Sequence, residues 1–324
     1  MAEPLAIAVV GTGAFGGLHA RTLAALPEAR LTALVDRTPE KASALARELG
    51  VAAACGSLAE VIDRRLADAV VIATSTATHV PLALEALAAG LHVLVEKPVG
   101  ATGAEVEALA RAARTSGRVA MAGHVCIFHS LVSPLVERVR RERFRSAHFV
   151  RHRPAAVVDR FPDEHPITLT MVHDLAVAAQ LADGVDPEEF SAWQAVGPQG
   201  RPDHSWAILR WADGRVATFH SHWMLPPGAP GDGFDRMEVF GDGFHAAVNT
   251  NPQPWTWASD RMHWPVPLEM SCVHGRPTGM LAEELRSFLA ACRGAPVPGG
   301  CRMEDAVQLD RWMQRLLESA RRPR

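Results

Sequence analysis

The sequence lacks several features that would indicate particular classes of protein. Its five cysteines are odd in number and none are spaced as CxxC, which predicts neither a disulfide framework nor a zinc site. No run of about eighteen apolar residues occurs, and the short apolar run near the start has no basic segment before it. We therefore expect no membrane span, no signal peptide and a reducing, cytoplasmic location.

Excess charge and tyrosine are also missing, and lysine is scarce. The formal net charge of −3 argues against general attraction to nucleic acid or anionic membranes, so small molecules or copies of this chain are the expected partners. There is no tyrosine, and only Lys41 and Lys97 are lysines among the 33 Lys and Arg residues. An arginine cannot release a proton near neutrality, whereas a partly buried lysine can. Lys97 is therefore our first candidate for chemistry.

A glycine-rich segment follows the first apolar run. Leu5 to Val10 predict a buried strand that leads into a tight turn and the start of a helix. Gly11 would allow the turn, Gly13 the approach of a pyrophosphate, and Gly16 close packing of the helix on the strand. Free N–H groups at the helix start would bind the phosphates. The residues of this predicted cofactor-binding turn are Gly11, Thr12, Gly13, Ala14, Phe15 and Gly16.

The residues after the second apolar run bear on cofactor choice. Asp36 stands about twenty residues past the glycines, where a carboxylate accepts hydrogen bonds from the adenosine ribose and repels a 2′-phosphate. This position favours NAD. Arg37 keeps NADP open, because its guanidinium could contact a phosphate or stack on adenine.

Strand and helix patterns alternate over the first third of the chain, and Pro81 to Ala89 read as one of the helices. The alternation predicts a Rossmann domain, a doubly wound parallel sheet, over residues 1–123. Polar residues stand at the carboxyl ends of three predicted strands. They are Asp36, then Thr74, Ser75 and Thr76, and then Glu96 and Lys97. Ligands bind beyond such strand ends, so these residues locate the predicted site.

After Gly123 the pattern changes. Extended runs are joined by Asp213-Gly214, a hairpin signal, and by a later Gly-Asp-Gly turn. We expect a second, α+β domain over residues 124–324, with a mostly antiparallel open sheet. Two helices close the chain.

These motifs together resemble the Gfo/Idh/MocA family, the glucose-fructose oxidoreductase-like and inositol dehydrogenase-like enzymes. The resemblance rests on GTGAFG, Asp36, ATSTATH from Ala73 to His79, and VEKPV from Val95 to Val99. It implies a Rossmann domain followed by an α/β domain, and NAD or NADP as cofactor. It also implies that the second domain, residues 124–324, serves substrate binding and oligomerisation, in a homodimer or homotetramer. The implied activity is oxidation or reduction at a hydroxyl-bearing carbon of a sugar, a polyol or a derivative.

The same resemblance assigns site residues. It implies catalytic roles for Lys97 and for His173 in LTMVHD, and cofactor contacts for Thr74, Ser75, Thr76, His79, Glu96 and Lys97. His173 would exchange the proton and Lys97 would orient the substrate oxygen.

The chain departs from the family pattern at two positions. Leu169 stands where the family pattern has an aspartate, and Ile127 stands where relatives often have an arginine. Asp174 cannot replace that aspartate, because consecutive helix residues do not share a face. Asp163, Glu164 and His165 precede the helix and could reach in.

Other functions stay open beside the dehydrogenase or ketoreductase reading. One is imine reduction or a redox-assisted elimination in which NAD is recycled, and another is a non-catalytic dinucleotide-dependent sensor. Seven arginines between Arg138 and Arg153 predict either an anion site or a solvated helix face and strand edge. His220 and His222 share a face of a predicted strand but have no third ligand at a suitable spacing, so we predict no metal site.

Overall fold

A computed structural model describes residues 3–162, 164–230, 233–251, 257–258, 262–263 and 272–321. The chain divides into two units, one of Met1–Val125 with Met270–Val307, the other of Cys126–Glu269 with Gln308–Arg324. The late segment Met270–Val307 thus groups with the first unit. Whether residues 1–123 and 124–324 fold as separate domains stays a prediction.

The first unit contains a six-stranded parallel sheet in the order β3-β2-β1-β4-β5-β6. Its strands are Leu5–Val10 (β1), Ala29–Val35 (β2), Ala53–Cys55 (β3), Ala69–Ile72 (β4), His92–Glu96 (β5) and Ala120–Gly123 (β6). The helices between them are Ala14–Ala25 (α1), Pro39–Leu49 (α2), Leu58–Asp63 (α3), Thr76–Ala88 (α4) and Gly103–Ser116 (α5). The order with its reversal between β1 and β4 confirms the predicted Rossmann fold.

Local sequence explains where several helices begin. The Ser57 side chain accepts a hydrogen bond from the Glu60 N–H at the start of α3. Thr102 and Glu105 form a reciprocal capping box at the start of α5. The predicted start at Pro81 is wrong, because α4 begins at Thr76 and includes Pro81 in its second turn. The helix tolerates the loss of the one backbone N–H that Pro81 cannot supply.

The second unit has a six-stranded sheet in the order β12-β11-β7-β10-β9-β8. Its elements are Val132–Glu142 (α6), Phe144–Pro154 (β7), Val157–Arg160 (α7), Val172–Leu181 (α8), Glu189–Val196 (β8), Pro202–Arg210 (β9), Val216–Leu225 (β10), Phe234–Gly241 (β11) and Phe244–Asn251 (β12). All neighbouring strands are antiparallel except β7 and β10. The mostly antiparallel sheet predicted for this part of the chain is confirmed.

Short strand pairs follow at Trp257–Ala258 (β13) with Met262–His263 (β14) and Cys272–Val273 (β15) with Arg276–Pro277 (β16). The closing helices are Met280–Cys292 (α9) and Met303–Arg321 (α10). Helix α9 packs against α1 within the first unit. Among the described residues, no helix combines the length and apolar character needed to cross a membrane.

Candidate functional site

The glycine turn of the first unit is closed to side chains at two positions. Gly11 has φ +93°, and a Cβ there would lie 2.5 Å from the Ala73 carbonyl oxygen. A Cβ at Gly16 would lie 1.9 Å from the Gly11 carbonyl oxygen. Both positions therefore require glycine, one for the turn and one for the packing of α1 on β1.

The third glycine is different, because its surroundings are open. A Cβ at Gly13 would meet no atom within 4 Å, and Gly13 is the residue that precedes α1. Thr12, Ala14 and Phe15 complete the turn beside it. The free space lies against the N–H groups and the positive end of a twelve-residue helix, which suits an anion. These residues fit the pyrophosphate of a dinucleotide.

Asp36 lies directly beside this turn. Its Oδ2 accepts hydrogen bonds from the Thr12 N–H at 3.0 Å and the Thr12 hydroxyl at 2.8 Å, and its Oδ1 accepts one from the Thr38 N–H at 2.9 Å. Partial burial alone would raise the pKa of Asp36, but these bonds and nearby Lys41 outweigh it, so the pKa lies below its ordinary value. Asp36 is thus ionised at neutral pH. Arg37 is exposed next to it.

The segment after β4 is held by its own hydroxyls and by one histidine. The Thr78 hydroxyl donates to the Thr74 hydroxyl at 2.8 Å, and Ser75 and Thr76 lie at the start of α4. His79 is buried, with Nδ1 2.8 Å from the Pro98 carbonyl oxygen and Nε2 3.1 Å from that of Thr74. His79 therefore joins the loop after β4 to the loop after β5. Its predicted contact with the cofactor stays a prediction.

Lys97 follows β5, and Glu96 ends it. The Glu96 carboxylate is buried, with Oε1 2.8 Å from His19 Nε2, and its Oε2 accepts a hydrogen bond from the Lys97 N–H at 3.1 Å. Lys97 is partly exposed. The glycine turn, Asp36, Thr74 and Lys97 therefore lie along one edge of the sheet, at the carboxyl ends of β1, β2, β4 and β5.

Two more titratable groups lie close to Glu96. Glu284 on α9 is fully buried, and the structure gives neither of its carboxyl oxygens a hydrogen-bond partner. Burial and the nearby Glu96 carboxylate raise the pKa of Glu284 well above its ordinary value. Burial lowers the pKa of His124 to about 4, and neither ring nitrogen of His124 has a hydrogen-bond partner in the structure. Glu284 and His124 are therefore expected to be uncharged at neutral pH.

Sequence reasoning missed His19, His124 and Glu284. Glu284 had a detectable signal, because it lies in the same helical stripe as Leu281, Leu285 and Phe288, where an apolar residue would be expected. His19 and His124 had no comparable signal. Their proximity to Glu96 depends on how α1 and the end of β6 pack.

His173, the other predicted catalytic residue, lies in the second unit on α8 and is half-buried. Leu169 lies just before it in a π-type turn, Ile167–Met171. Asp174 is buried and forms a bidentate ion pair with Arg151, at 3.0 Å and 2.7 Å. This pairing explains why Asp174 is not available to replace the aspartate that Leu169 displaces. Asp163 lies outside the described residues.

The arginine-rich segment is mostly engaged in ion pairs. Arg151 also donates to Asp235 at 2.9 Å, and Arg153 pairs with the same carboxylate. The other pairs are Arg138 with Glu142, Arg140 with Asp183, Arg143 with Asp213 and Arg145 with Asp242. These contacts favour a structural role over an anion site.

Comparison with known families gives one match to the first unit. The model of an oxidoreductase family with an NAD-binding Rossmann fold matches residues 5–124. This range covers the glycine turn, Asp36, the Thr74 segment and Lys97. The first unit is therefore of the NAD-binding Rossmann type.

Individual relatives extend the likeness beyond the first unit. The UDP-N-acetylglucosamine 3-dehydrogenase of Acidithiobacillus ferrooxidans is 30% identical over 244 residues, 74% of this chain and 72% of that protein. The myo-inositol 2-dehydrogenase of Thermotoga maritima is 26% identical over 251 residues, 72% of each chain. The crystal structure of GenD2 from gentamicin A biosynthesis, in complex with NAD, shares the fold with a TM-score of 0.83 at 23% identity, covering 99% of this chain and 95% of that one.

Proposed function

The chain belongs to the Gfo/Idh/MocA family of oxidoreductases, and from this premise we propose that it transfers a hydride between a nicotinamide and a ring carbon bearing a hydroxyl or ketone. The proposed substrates are sugars, cyclitols and their derivatives. When bound, NAD supplies the hydride acceptor or donor. The observation that carries the proposal is the placement of Lys97 on the same sheet edge as the glycine turn and Asp36.

The substrate class is supported by the relatives. One is named for oxidation of a nucleotide-linked amino sugar and another for oxidation of inositol. Both substrates carry secondary hydroxyls on a six-membered ring. This shared chemistry supports a ring alcohol as the substrate of the present chain.

We assign NAD rather than NADP as the preferred cofactor. Asp36 is ionised and is held by Thr12 and Thr38, so it can accept further hydrogen bonds from a ribose but would repel a 2′-phosphate. Exposed Arg37 and nearby Lys41 leave some affinity for NADP.

Lys97 and His173 receive different roles in the proposal. The Lys97 ammonium donates to the substrate oxygen and stabilises negative charge on it, while Glu96 and His19 hold the backbone that carries it. His173 exchanges the proton, because imidazole has an ordinary pKa near neutrality. Leu169 supplies no carboxylate to orient His173, so we expect a slower reaction than the full set of family residues would give.

Leu169 also gives weight to a second candidate, imine reduction or an elimination with recycled NAD, because the set of catalytic residues known from the family dehydrogenases is incomplete here.

We further propose a homodimer or homotetramer, supported by the large exposed side chains of Trp193 and Phe240. Sedimentation velocity tests the assembly, and a monomer at micromolar concentration would contradict it.

The function is tested by an absorbance screen at the NADH band with inositols, sugars, amino sugars and nucleotide sugars, each with NAD and NADP. Formation of NADH with one ring alcohol, absent in the Lys97→Met variant, is the expected result. A product formed without net NADH would support the recycled-cofactor reaction. Tight NAD binding with no product from any class would support a sensor instead.

A further inference from the structure

Four histidines occupy neighbouring positions on one face of the second-unit sheet. They are His152 on β7, His204 on β9, and His220 and His222 on β10, and we call them the histidine patch. In the strand register, His222 lies directly opposite both His152 and His204. His220 lies on the same face because it is two residues before His222. Three strands therefore bring four imidazoles together.

The ring nitrogens lie close to one another. His204 Nε2 is 2.9 Å from His220 Nε2, and His152 Nε2 is 3.5 Å from His220 Nδ1. One donor nitrogen from each of His152, His220 and His222 lies within 4.8 Å of the other two. Zn–N bonds of about 2.0–2.1 Å place tetrahedral ligands roughly 3.3 Å apart. The three nitrogens must therefore approach one another by up to about 1.5 Å when the ion binds.

Stacking holds three of the rings in place. Trp206 stacks on the His220 ring at 3.8 Å, and His152 stacks on the His222 ring at 3.8 Å. These contacts restrict the orientations of the rings, so fewer side-chain conformations are lost when the rings bind an ion.

We propose that the histidine patch binds one borderline divalent transition-metal ion, Zn²⁺ in the first instance, through His152, His220 and His222, with a water molecule completing the tetrahedral coordination. Imidazole ligands suit Zn²⁺, whereas Mg²⁺ prefers oxygen.

Binding also changes local hydrogen bonds. His220 can bind the ion through Nδ1, which faces His152, while its Nε2–H donates a hydrogen bond to His204 Nε2. His222 Nδ1 accepts a 3.3 Å hydrogen bond from the Met224 N–H. If His222 binds the ion through Nε2, its hydrogen lies on Nδ1, so this hydrogen bond is lost. Because His220 contacts both His152 and His204, we expect its removal to have the largest effect.

The test uses the full chain without an affinity tag of histidines. Metal content is measured on the purified protein, and the chelator-treated protein is then titrated with Co²⁺, Zn²⁺ and Mg²⁺. We expect about one equivalent of Co²⁺ with the visible absorption of a four-coordinate site, displacement by Zn²⁺, and no binding of Mg²⁺. Absence of both bound zinc and Co²⁺ absorption would overturn the proposal.

Matched variants locate the site. Loss of a partner that only supports a ligand weakens metal affinity about 10–100-fold, so His220→Ala should weaken it by at least that much. His148→Ala is the control, because His148 lies on β7 and bonds to Thr218 away from the patch. Equal affinity of the two variants would contradict the proposal. A urea unfolding transition like that of the wild type reports folding of the second unit, and His152→Gln gives the same comparison if His220→Ala does not fold.

Discussion

Each unit buries a cluster of charged or titratable side chains, but the two clusters compensate their charges in different ways. In the second unit, Arg151 and Arg153 lie against Asp174 and Asp235, and each carboxylate faces a guanidinium. In the first unit, Glu96 pairs with His19, while Glu284 and His124 have no hydrogen-bond partner in the structure.

A buried ionisable group must be paired or must lose its charge, because an isolated charge in a low dielectric is very unstable. In the arginine cluster of the second unit, the buried charges are paired. Glu284 and His124 instead lose their charge, since the pKa of Glu284 is raised and that of His124 is lowered to about 4. The neutral pair lies near Glu96, next to the proposed catalytic Lys97. The comparison indicates that the arginine cluster of the second unit supports the fold. The cluster around Glu96 in the first unit instead shapes the candidate site.

The largest expected effect comes from removing the charge beside the first cluster. Lys97→Met should lower kcat about 10²–10⁴-fold, because the donor to the substrate oxygen is lost. The other lysine gives a matched control, and Lys41→Met should keep kcat nearly unchanged. Steady-state kinetics with calorimetric NAD binding makes the test. A Lys97→Met enzyme with full activity would remove Lys97 from the mechanism.

Breaking the paired cluster should cost stability instead. Asp174→Asn leaves Arg151 with Asp235 as its remaining carboxylate partner, and we expect a loss of about 3 kcal/mol in the free energy of unfolding. Urea unfolding followed by tryptophan fluorescence measures it. Unchanged stability would show that the bidentate pair contributes little.

The pH dependence of stability distinguishes His124 from paired groups. The pKa of His124 is about 4 in the folded chain and 6.5 ordinarily, so below about pH 6.5 the unfolded chain binds the proton first. Its contribution to stability is present above that pH and is lost as the pH falls towards 4, by about 3 kcal/mol in total. Unfolding curves of wild type and His124→Gln should therefore converge or cross as the pH falls through this window. Parallel curves would contradict a neutral His124.

Glu284→Gln should have the smallest effect. An amide resembles a protonated carboxyl in size and charge, so we expect a change of about 1 kcal/mol or less below pH 4.5, where Glu284 is protonated in both the folded and the unfolded wild-type chain. Because the folded pKa is raised, wild type should be favoured most below pH 4.5 and lose this advantage as the pH rises through the folded pKa. A loss of several kcal/mol at neutral pH would instead show that Glu284 is charged and paired.

The sequence predicted the parts of the site that depend on local order along the chain. Gly11, Gly16 and Asp36 lie in the predicted turn and at the predicted strand end, because strand, turn and helix follow one another within thirty residues. The Rossmann sheet and the mostly antiparallel sheet followed from the same local patterns. Lys97 was found because lysine is rare in this chain.

Contacts between distant segments could not be predicted in this way. The pairing of Glu96 with His19 depends on how α1 packs. Glu284 lies on α9, nearly two hundred residues after Glu96 in the sequence. His152 and His204 join His220 and His222 only through strand register. No pattern in FHSHW, Phe219 to Trp223, contains that information.

The most direct test of the account is calorimetric titration of the purified chain with NAD and NADH. The account predicts saturable binding at one site per chain, and its loss in Gly13→Ala, whose added methyl group would enter the open space of the turn without disturbing the fold. Absence of binding by the wild-type chain at millimolar cofactor would contradict the cofactor site, and with it the proposed oxidoreductase mechanism at Lys97.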